Sequence, residues 1–183
     1  MQFDFYDIIT ILSAYLIGNI SPAIILGKIN GIDIKKEGSG NAGTTNALRV
    51  LGKKAAVITL VVDILKGVVA VKFGMMLGYE TGIWCALAVF CGHIWPCLYR
   101  FKGGKGVATA FGAILSVNWL LALTALAIVA CGLLISKRMS VGSLLGAATF
   151  PVACWFMEKD FIIVGCIMAA IVLIKHRANI VRL

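Results

Sequence analysis

Residues 107–135, VATAFGAILSVNWLLALTALAIVACGLLI, decide how this chain is read. As one α-helix the stretch would run about 43 Å at 1.5 Å per residue, against a bilayer hydrocarbon core of about 30 Å. One span is too long, and polar Asn118 beside Trp119 marks the expected break. The first piece, residues 107–117, is then too short to cross fully. The glycine-rich loop before it is therefore expected to dip below the membrane surface, placing the helix N-terminus and its dipole inside the protein.

Composition supports a bilayer setting. Of 183 residues, 61% are hydrophobic and only 14% charged, with a mean hydropathy of +0.99; soluble domains hold about 45–50% apolar residues. The expected fold is an all-α integral membrane protein with seven transmembrane helices, some short or broken, and glycine-rich re-entrant loops on the cytoplasmic side. The spans fall at residues 5–28, 55–77, 79–99, 107–117, 119–135, 141–157 and 161–174, the first kinked at Asn19, Ser21 and Pro22. No polar stretch is long enough for a second domain, so residues 1–183 are read as one membrane-embedded domain. Asp4 and Asp7 near the start, without a basic n-region, give no sign of a cleaved signal peptide.

The net charge of +9 raises a nucleic-acid reading, but the basic residues sit in short loops between apolar runs. A membrane surface or an anionic ligand at it fits better, and no nucleic-acid partner is expected. Fourteen of the 17 Lys and Arg residues lie in residues 28–54, 100–105, 137–138 and 175–183. With seven spans and an outer N-terminus all four segments face the cytoplasm, carrying +12 once Asp33 and Glu37 are included and leaving −3 elsewhere. A single span over residues 107–135 would put two of these clusters on opposite faces, against the positive-inside rule. The six cysteines lie in or beside apolar segments without a Cys-x-x-Cys pair, which reads as small core residues and no metal site.

The most polar stretch is Gly38-Ser-Gly-Asn-Ala-Gly-Thr-Thr-Asn-Ala-Leu-Arg49. Gly38, Gly40 and Gly43 permit positive φ and allow backbone N–H groups to converge on an anion. Ser39, Asn41, Thr44, Thr45 and Asn46 add hydroxyl and amide groups, and Arg49 a planar cation suited to bidentate phosphate binding. A helix capped at Thr44 or Thr45 explains part of the pattern and is compatible with an anion seat. A second basic glycine loop, Arg100-Phe-Lys-Gly-Gly-Lys-Gly106, leads into an apolar helix. It lacks the P-loop spacing: Tyr99 stands where that motif needs Gly, and Gly106 where it needs Ser or Thr, so nucleotide hydrolysis is not inferred.

Asp63 and Lys66, three residues apart within an apolar span, share a helix face; they are open to a direct site role or to an ion pair supporting the loop. His93 at the end of the third span is open to the same two readings, while Trp95 and Tyr99 suit a headgroup interface. The tail from Lys175 reads as a topology anchor, with His176 and Asn179 one turn apart as further candidates.

Together the Gly38–Arg49 stretch, Asp63-x-x-Lys66-Gly67, Gly92-His93, the run from Phe101 through Lys105 to Thr109, and His176-Arg-Ala-Asn179-Ile resemble, in this order, the bacterial membrane glycerol-3-phosphate acyltransferases that use acyl phosphate as donor, the PlsY family. The resemblance runs from about Gly18 to the chain end. It implies a seven-helix enzyme of the bacterial cytoplasmic membrane, with its site facing the cytoplasm. The reaction implied is transfer of an acyl chain to the 1-hydroxyl of sn-glycerol 3-phosphate, giving lysophosphatidic acid and inorganic phosphate in the first step of phospholipid synthesis. No cofactor or metal is implied, and a soluble enzyme producing acyl phosphate is the implied partner. Carried over by position, Ser39, Arg49, Lys105, His176 and Asn179 match the glycerol 3-phosphate site, with Ser39, Lys105, His176 and Asn179 as the catalytic set. Gly43, Thr45, Asn46, Gly103, Gly104, Lys105 and Gly106 match the acyl-phosphate and oxyanion surroundings, and Asn41, Asp63, Lys66 and His93 are supporting. Two departures stand out: Thr44 replaces the usual Ala, and the chain stops at Leu183 where the family continues with a short polar tail, so part of the site is expected to be missing.

Other classes fit less well. The His-x4-Asp pattern of soluble-type acyltransferases is missing, since Val181 stands five residues after His176 and Leu98 five after His93. An anion channel or phosphate-ester transporter needs polar residues through the outer half of the spans, and a scaffold leaves both glycine loops unexplained. The charge split predicts that cysteines introduced at Lys102 and Lys137 react with impermeant reagents from the cytoplasmic side only; labelling from opposite faces would overturn the seven-span topology.

Overall fold

A computed structural model describes residues 3–181, and their regular structure is entirely helical. The last two residues of the basic tail, Arg182 and Leu183, lie outside the described residues. The chain forms two compact units, Met1–Ala113 and Ile114–Leu183.

In the first unit, α1 (Phe5–Gly18) opens with a reciprocal acidic cap. The Asp7 N–H donates to Asp4 Oδ1 at 2.9 Å and the Asp4 N–H to Asp7 Oδ2 at 3.0 Å. The helix stops at Gly18, and α2 (Pro22–Ile29) begins with Pro22 at its first turn, where a missing N–H costs nothing. The expected kink is thus a complete break. Asn19, fully buried, organises it: its amide donates to Tyr15 O at 2.7 Å, and its Oδ1 accepts from Cys97 Sγ at 3.1 Å and Leu98 N–H at 3.3 Å.

A short α3 (Thr44–Val50) and then α4 (Lys53–Met75) follow, α4 packing on α1, α2, α3 and α5 (Tyr79–Ile94). The third apolar run, residues 79–99, is long and apolar enough to cross, and within it α5 ends at Ile94. The chain bends at Trp95, Pro96 is extended, and a 3-10 turn covers Cys97–Tyr99. These helices approach closely at glycines, as small residues permit in a bilayer. A Cβ on Gly92 would strike Tyr15 O, one on Gly67 would strike Thr109 O of α6 (Val107–Val117), and one on Gly112 would strike Ile64 O.

In the second unit, α7 (Trp119–Ser136) and α8 (Met139–Met157) form a tight hairpin through Lys137, which is left-handed at φ 58°. The break between α6 and α7 falls at Asn118, as the helix-length argument requires. Its Oδ1 accepts from the N–H groups of Leu120 and Leu121 at 3.0 and 3.1 Å, capping α7, while its amide donates to Glu158 Oε2 at 3.0 Å. Next, α9 (Ile162–Lys175) packs on α8, with Phe150 and Phe161 edge to face at 6.3 Å, and α10 (Arg177–Ile180) is a single turn. Large apolar side chains such as Leu12, Leu16, Leu120, Leu134 and Phe156 point outward, the arrangement of a protein solvated by lipid. Among the described residues four helical segments, Phe5–Ile29, Tyr79–Tyr99, Trp119–Ser136 and Met139–Met157, are by themselves long and apolar enough to cross.

Gly67→Ala should destabilise the fold by about 1–3 kcal/mol through overpacking, read as earlier thermal unfolding in detergent. Gly78→Ala is the control: Gly78 is extended at φ 163°, a Cβ there would meet only Thr81 Oγ1 at 4.0 Å, and a change within about 0.5 kcal/mol is expected.

Candidate active site

The first glycine stretch is built on a small apolar core beneath it. Ile34, 1% exposed, sits with Ala23, Ile24, Ala42 and Ala47, and Val50, Leu51 and Tyr99 pack against them. Above this core the loop curls around the buried Asn46 amide. Asn46 Oδ1 accepts the Ser39 N–H at 2.8 Å, and its Nδ2 donates to Glu37 O at 3.0 Å and Ile34 O at 3.2 Å. Gly38, at φ 60°, passes so close that a Cβ would strike Asn46 Oδ1. Gly40 is also left-handed, at φ 70°.

Three expectations change here. Gly43 is extended at φ −138°, so it contributes no positive-φ turn. It is the N-cap of α3, and neither Thr44 nor Thr45 caps the helix with its side chain. Asn46 spends its amide on the loop backbone, which makes it a support for the seat and not a donor into it. Thr45, Ser39 and Arg49 are exposed, the last at the final turn of α3, and Asn41 is half-buried with its Nδ2 beside Gly43. The additional hydroxyl of Thr44 is buried, and its Oγ1 has no hydrogen-bond partner among the described residues.

The second loop lies against the end of α5. The Gly103 N–H donates to Ile94 O at 3.1 Å and the Gly104 N–H to His93 O at 3.2 Å. Those two N–H groups are therefore spent on carbonyls that α5 leaves unpaired, and not available as oxyanion donors. What these positions require is the absence of a side chain: a Cβ on Gly103 would meet His93 O, and one on Gly104 His93 Nε2 and, at 3.0 Å, Ala42 O. Gly106, at φ 82°, abuts the Phe90 ring. Lys105, between them, is half-buried.

The Gly104–Ala42 approach shows that the two glycine loops, far apart in sequence, meet in space. A second link escaped the sequence reading. Lys35 donates to Tyr99 O at 3.1 Å, and Lys35 and Lys28 lie over the Tyr99 ring at 5.3 and 5.6 Å. Tyr99, read as an interfacial aromatic, is thus a brace between the loops. Both residue types were visible in the sequence, but nothing there signalled their pairing. Burial pushes the Lys35 ammonium below its ordinary pKa; Asp33 opposes the shift, and Lys102, Lys28 and Arg100 add to it. The site is thus cationic well beyond Arg49 and Lys105.

Under the loops lies the buried cluster of Asp63, Lys66 and His93. Lys66 Nζ is 2.8 Å from Asp63 Oδ1 and 2.8 Å from His93 Nδ1, and it donates to Gly18 O at 3.0 Å and Ile20 O at 2.6 Å.

The second unit carries the other two candidates. His176 ends α9 and is 3% exposed; its Nδ1 lies 2.8 Å from Val172 O. A carbonyl only accepts, so Nδ1 carries the proton, and in the neutral ring Nε2 carries the lone pair. Asn179 is half-buried in α10, its N–H donating to His176 O at 2.7 Å.

Comparison with known proteins identifies the family. The glycerol-3-phosphate acyltransferase family profile matches residues 8–183. The chain is 46% identical to a glycerol-3-phosphate acyltransferase of Thermoanaerobacter pseudethanolicus over 97% of its own length and 92% of the relative's. It is 44% identical to one of Clostridioides difficile, over 100% and 94%. A crystal structure of PlsY (YgiH), an integral membrane glycerol 3-phosphate acyltransferase in its glycerol 3-phosphate form, superposes with a TM-score of 0.92 at 30% identity, covering 97% of this chain and 91% of that one. The lysophosphatidic acid form of PlsY gives a TM-score of 0.89 at the same identity and coverage. With two glycine loops converging on a cationic site and likeness along nearly its whole length, the chain belongs to the glycerol-3-phosphate acyltransferase family, the PlsY family of integral membrane proteins.

Proposed function

We propose that this chain transfers an acyl group from acyl phosphate to the 1-hydroxyl of sn-glycerol 3-phosphate, giving lysophosphatidic acid and inorganic phosphate. The observation that carries the reading is the meeting of the two glycine loops at Gly104 and Ala42, with Arg49 and Lys105 on those same loops. Two phosphate-bearing substrates need such a site, and the PlsY crystal forms with glycerol 3-phosphate and lysophosphatidic acid support both ends of the reaction. The protein is read as a seven-span enzyme of the bacterial cytoplasmic membrane, with an outer N-terminus and a cytoplasm-facing site. The family match through residues 8–183 supports treating both units as one catalytic domain. A soluble enzyme that makes acyl phosphate is the proposed partner.

Acyl phosphate is an activated mixed anhydride, so no covalent acyl-enzyme is needed. The glycerol hydroxyl attacks the carbonyl carbon, the bond from that carbon to the bridging oxygen breaks, and phosphate leaves. Positioning and charge stabilisation carry most of the rate. Ser39, Arg49 and Lys105, with His176 and Asn179, bind glycerol 3-phosphate. Lys105, Gly106 and Thr45 face the acyl phosphate, while Gly43, Asn46, Gly103 and Gly104 shape the loops that present them. The hydroxyl proton passes to the departing phosphate, which becomes more basic as it leaves, and His176 orients the glycerol substrate.

The direct test is purified protein with glycerol 3-phosphate and palmitoyl phosphate, without added metal or coenzyme A; lysophosphatidic acid should form, and no product would overturn the reading. Arg49→Lys should lower kcat/KM for glycerol 3-phosphate by about 10- to 100-fold, because an ammonium cannot reproduce the bidentate fork; near-normal kinetics would remove Arg49 from the site. His176→Gln should raise KM while keeping appreciable turnover at saturation. A fall in kcat by about 10² to 10⁴ with substrate binding intact would instead make His176 the general base.

A further inference from the structure

Lys66 has three protons, and its aligned hydrogen bonds go to three acceptors: Gly18 O, Ile20 O and His93 Nδ1. Asp63 Oδ1 lies at ion-pair distance from Lys66 (2.8 Å) and from His93 Nδ1 (3.3 Å), and accepts no aligned hydrogen bond from either. A proton on His93 Nδ1 would point into the Lys66 ammonium 2.8 Å away. Nδ1 therefore accepts, and the neutral ring holds its proton on Nε2. That opposite edge is the one lying against Gly104, where a Cβ would strike Nε2 and come within 2.9 Å of Cε1. The same residue's carbonyl accepts the Gly104 N–H at 3.2 Å. His93 thus grips Gly104 from two sides, with its ring orientation fixed from beneath by a buried cation.

We propose that His93 is a positioning residue for acyl transfer: Lys66 locks its imidazole as the Nε2–H tautomer, and that ring edge sets the height of Gly104 and so the placement of Lys105 over the phosphate site. This rests on the proposed acyltransferase reading, in which Lys105 meets substrate phosphate. His93 itself touches no substrate. It differs from a residue that only fills space in that its effect must pass through Gly104.

A double-mutant cycle tests that link. Gly104→Ala adds a methyl that collides with the ring edge, whereas His93→Asn removes the edge and leaves an amide oxygen for Lys66. Each single variant should lower kcat/KM for glycerol 3-phosphate by about tenfold or more, and the double variant should recover at least about threefold over Gly104→Ala. Thermal unfolding of all four proteins separates this from loss of fold. Additive losses, or His93→Asn with wild-type kinetics, would overturn the proposal. An inactive wild-type enzyme would overturn the acyltransferase reading instead. A second measurement does not use activity: with His93 and His176 the only two histidines, imidazole ¹⁵N NMR, assigned through His176→Gln, should show His93 neutral and protonated on Nε2. Protonation on Nδ1, or on both nitrogens, would overturn the lock.

Discussion

One buried ammonium organises the first unit. The break between α1 and α2 leaves the carbonyls of Gly18 and Ile20 without helical partners, and a buried carbonyl left unpaired is costly. Lys66 reaches them from α4 and satisfies both. Burying that cation would itself be costly, and Asp63 one turn earlier on the same helix offsets it by charge. His93 of α5 lies 2.8 Å from the same nitrogen, so three helices meet at one atom.

From this joint the site is built outward by backbone and not by side-chain display. The end of α5 offers its last carbonyls to Gly103 and Gly104, and the first loop meets Gly104 through the Ala42 carbonyl. Much of the polarity of the loops is consumed in holding them: the Asn46 amide pins residues 34–39, and Lys35 is tied to Tyr99. Ser39, Thr45 and Arg49 are exposed on the first loop and its helix, and Lys105 is half-buried on the second. A site for an anionic ligand benefits from that division. Groups already engaged with backbone do not reorganise when substrate binds, so the binding groups are held in place beforehand.

The glycines divide into separate roles that residue type alone does not distinguish. Gly38, Gly40 and Gly106 are required by positive φ, whereas Gly103 and Gly104 are required by contact with the end of α5. Gly67, Gly92 and Gly112 belong to helix crossings in which one backbone rests on another. The break at Asn118 is simpler: its side chain caps α7 and ties to Glu158, so the polar residue that interrupts the apolar run also satisfies the helix end it creates.

The sequence by itself determined the membrane class, an interruption of the first span at residues 19–22, the helix break at 118, and the identity of both loops. Hydropathy, helix length and glycine patterning are local properties, written in neighbouring residues. It also placed Asp63 and Lys66 on one helix face, because a spacing of three residues fixes that. Only the tertiary structure decided that His93 meets Lys66, that Asn46 faces its own loop, that Gly43 needs no positive φ, and that Tyr99 braces two lysines. Each of those depends on which atoms arrive from segments far away in the chain, and donor and acceptor types alone do not specify which partner a polar group will meet.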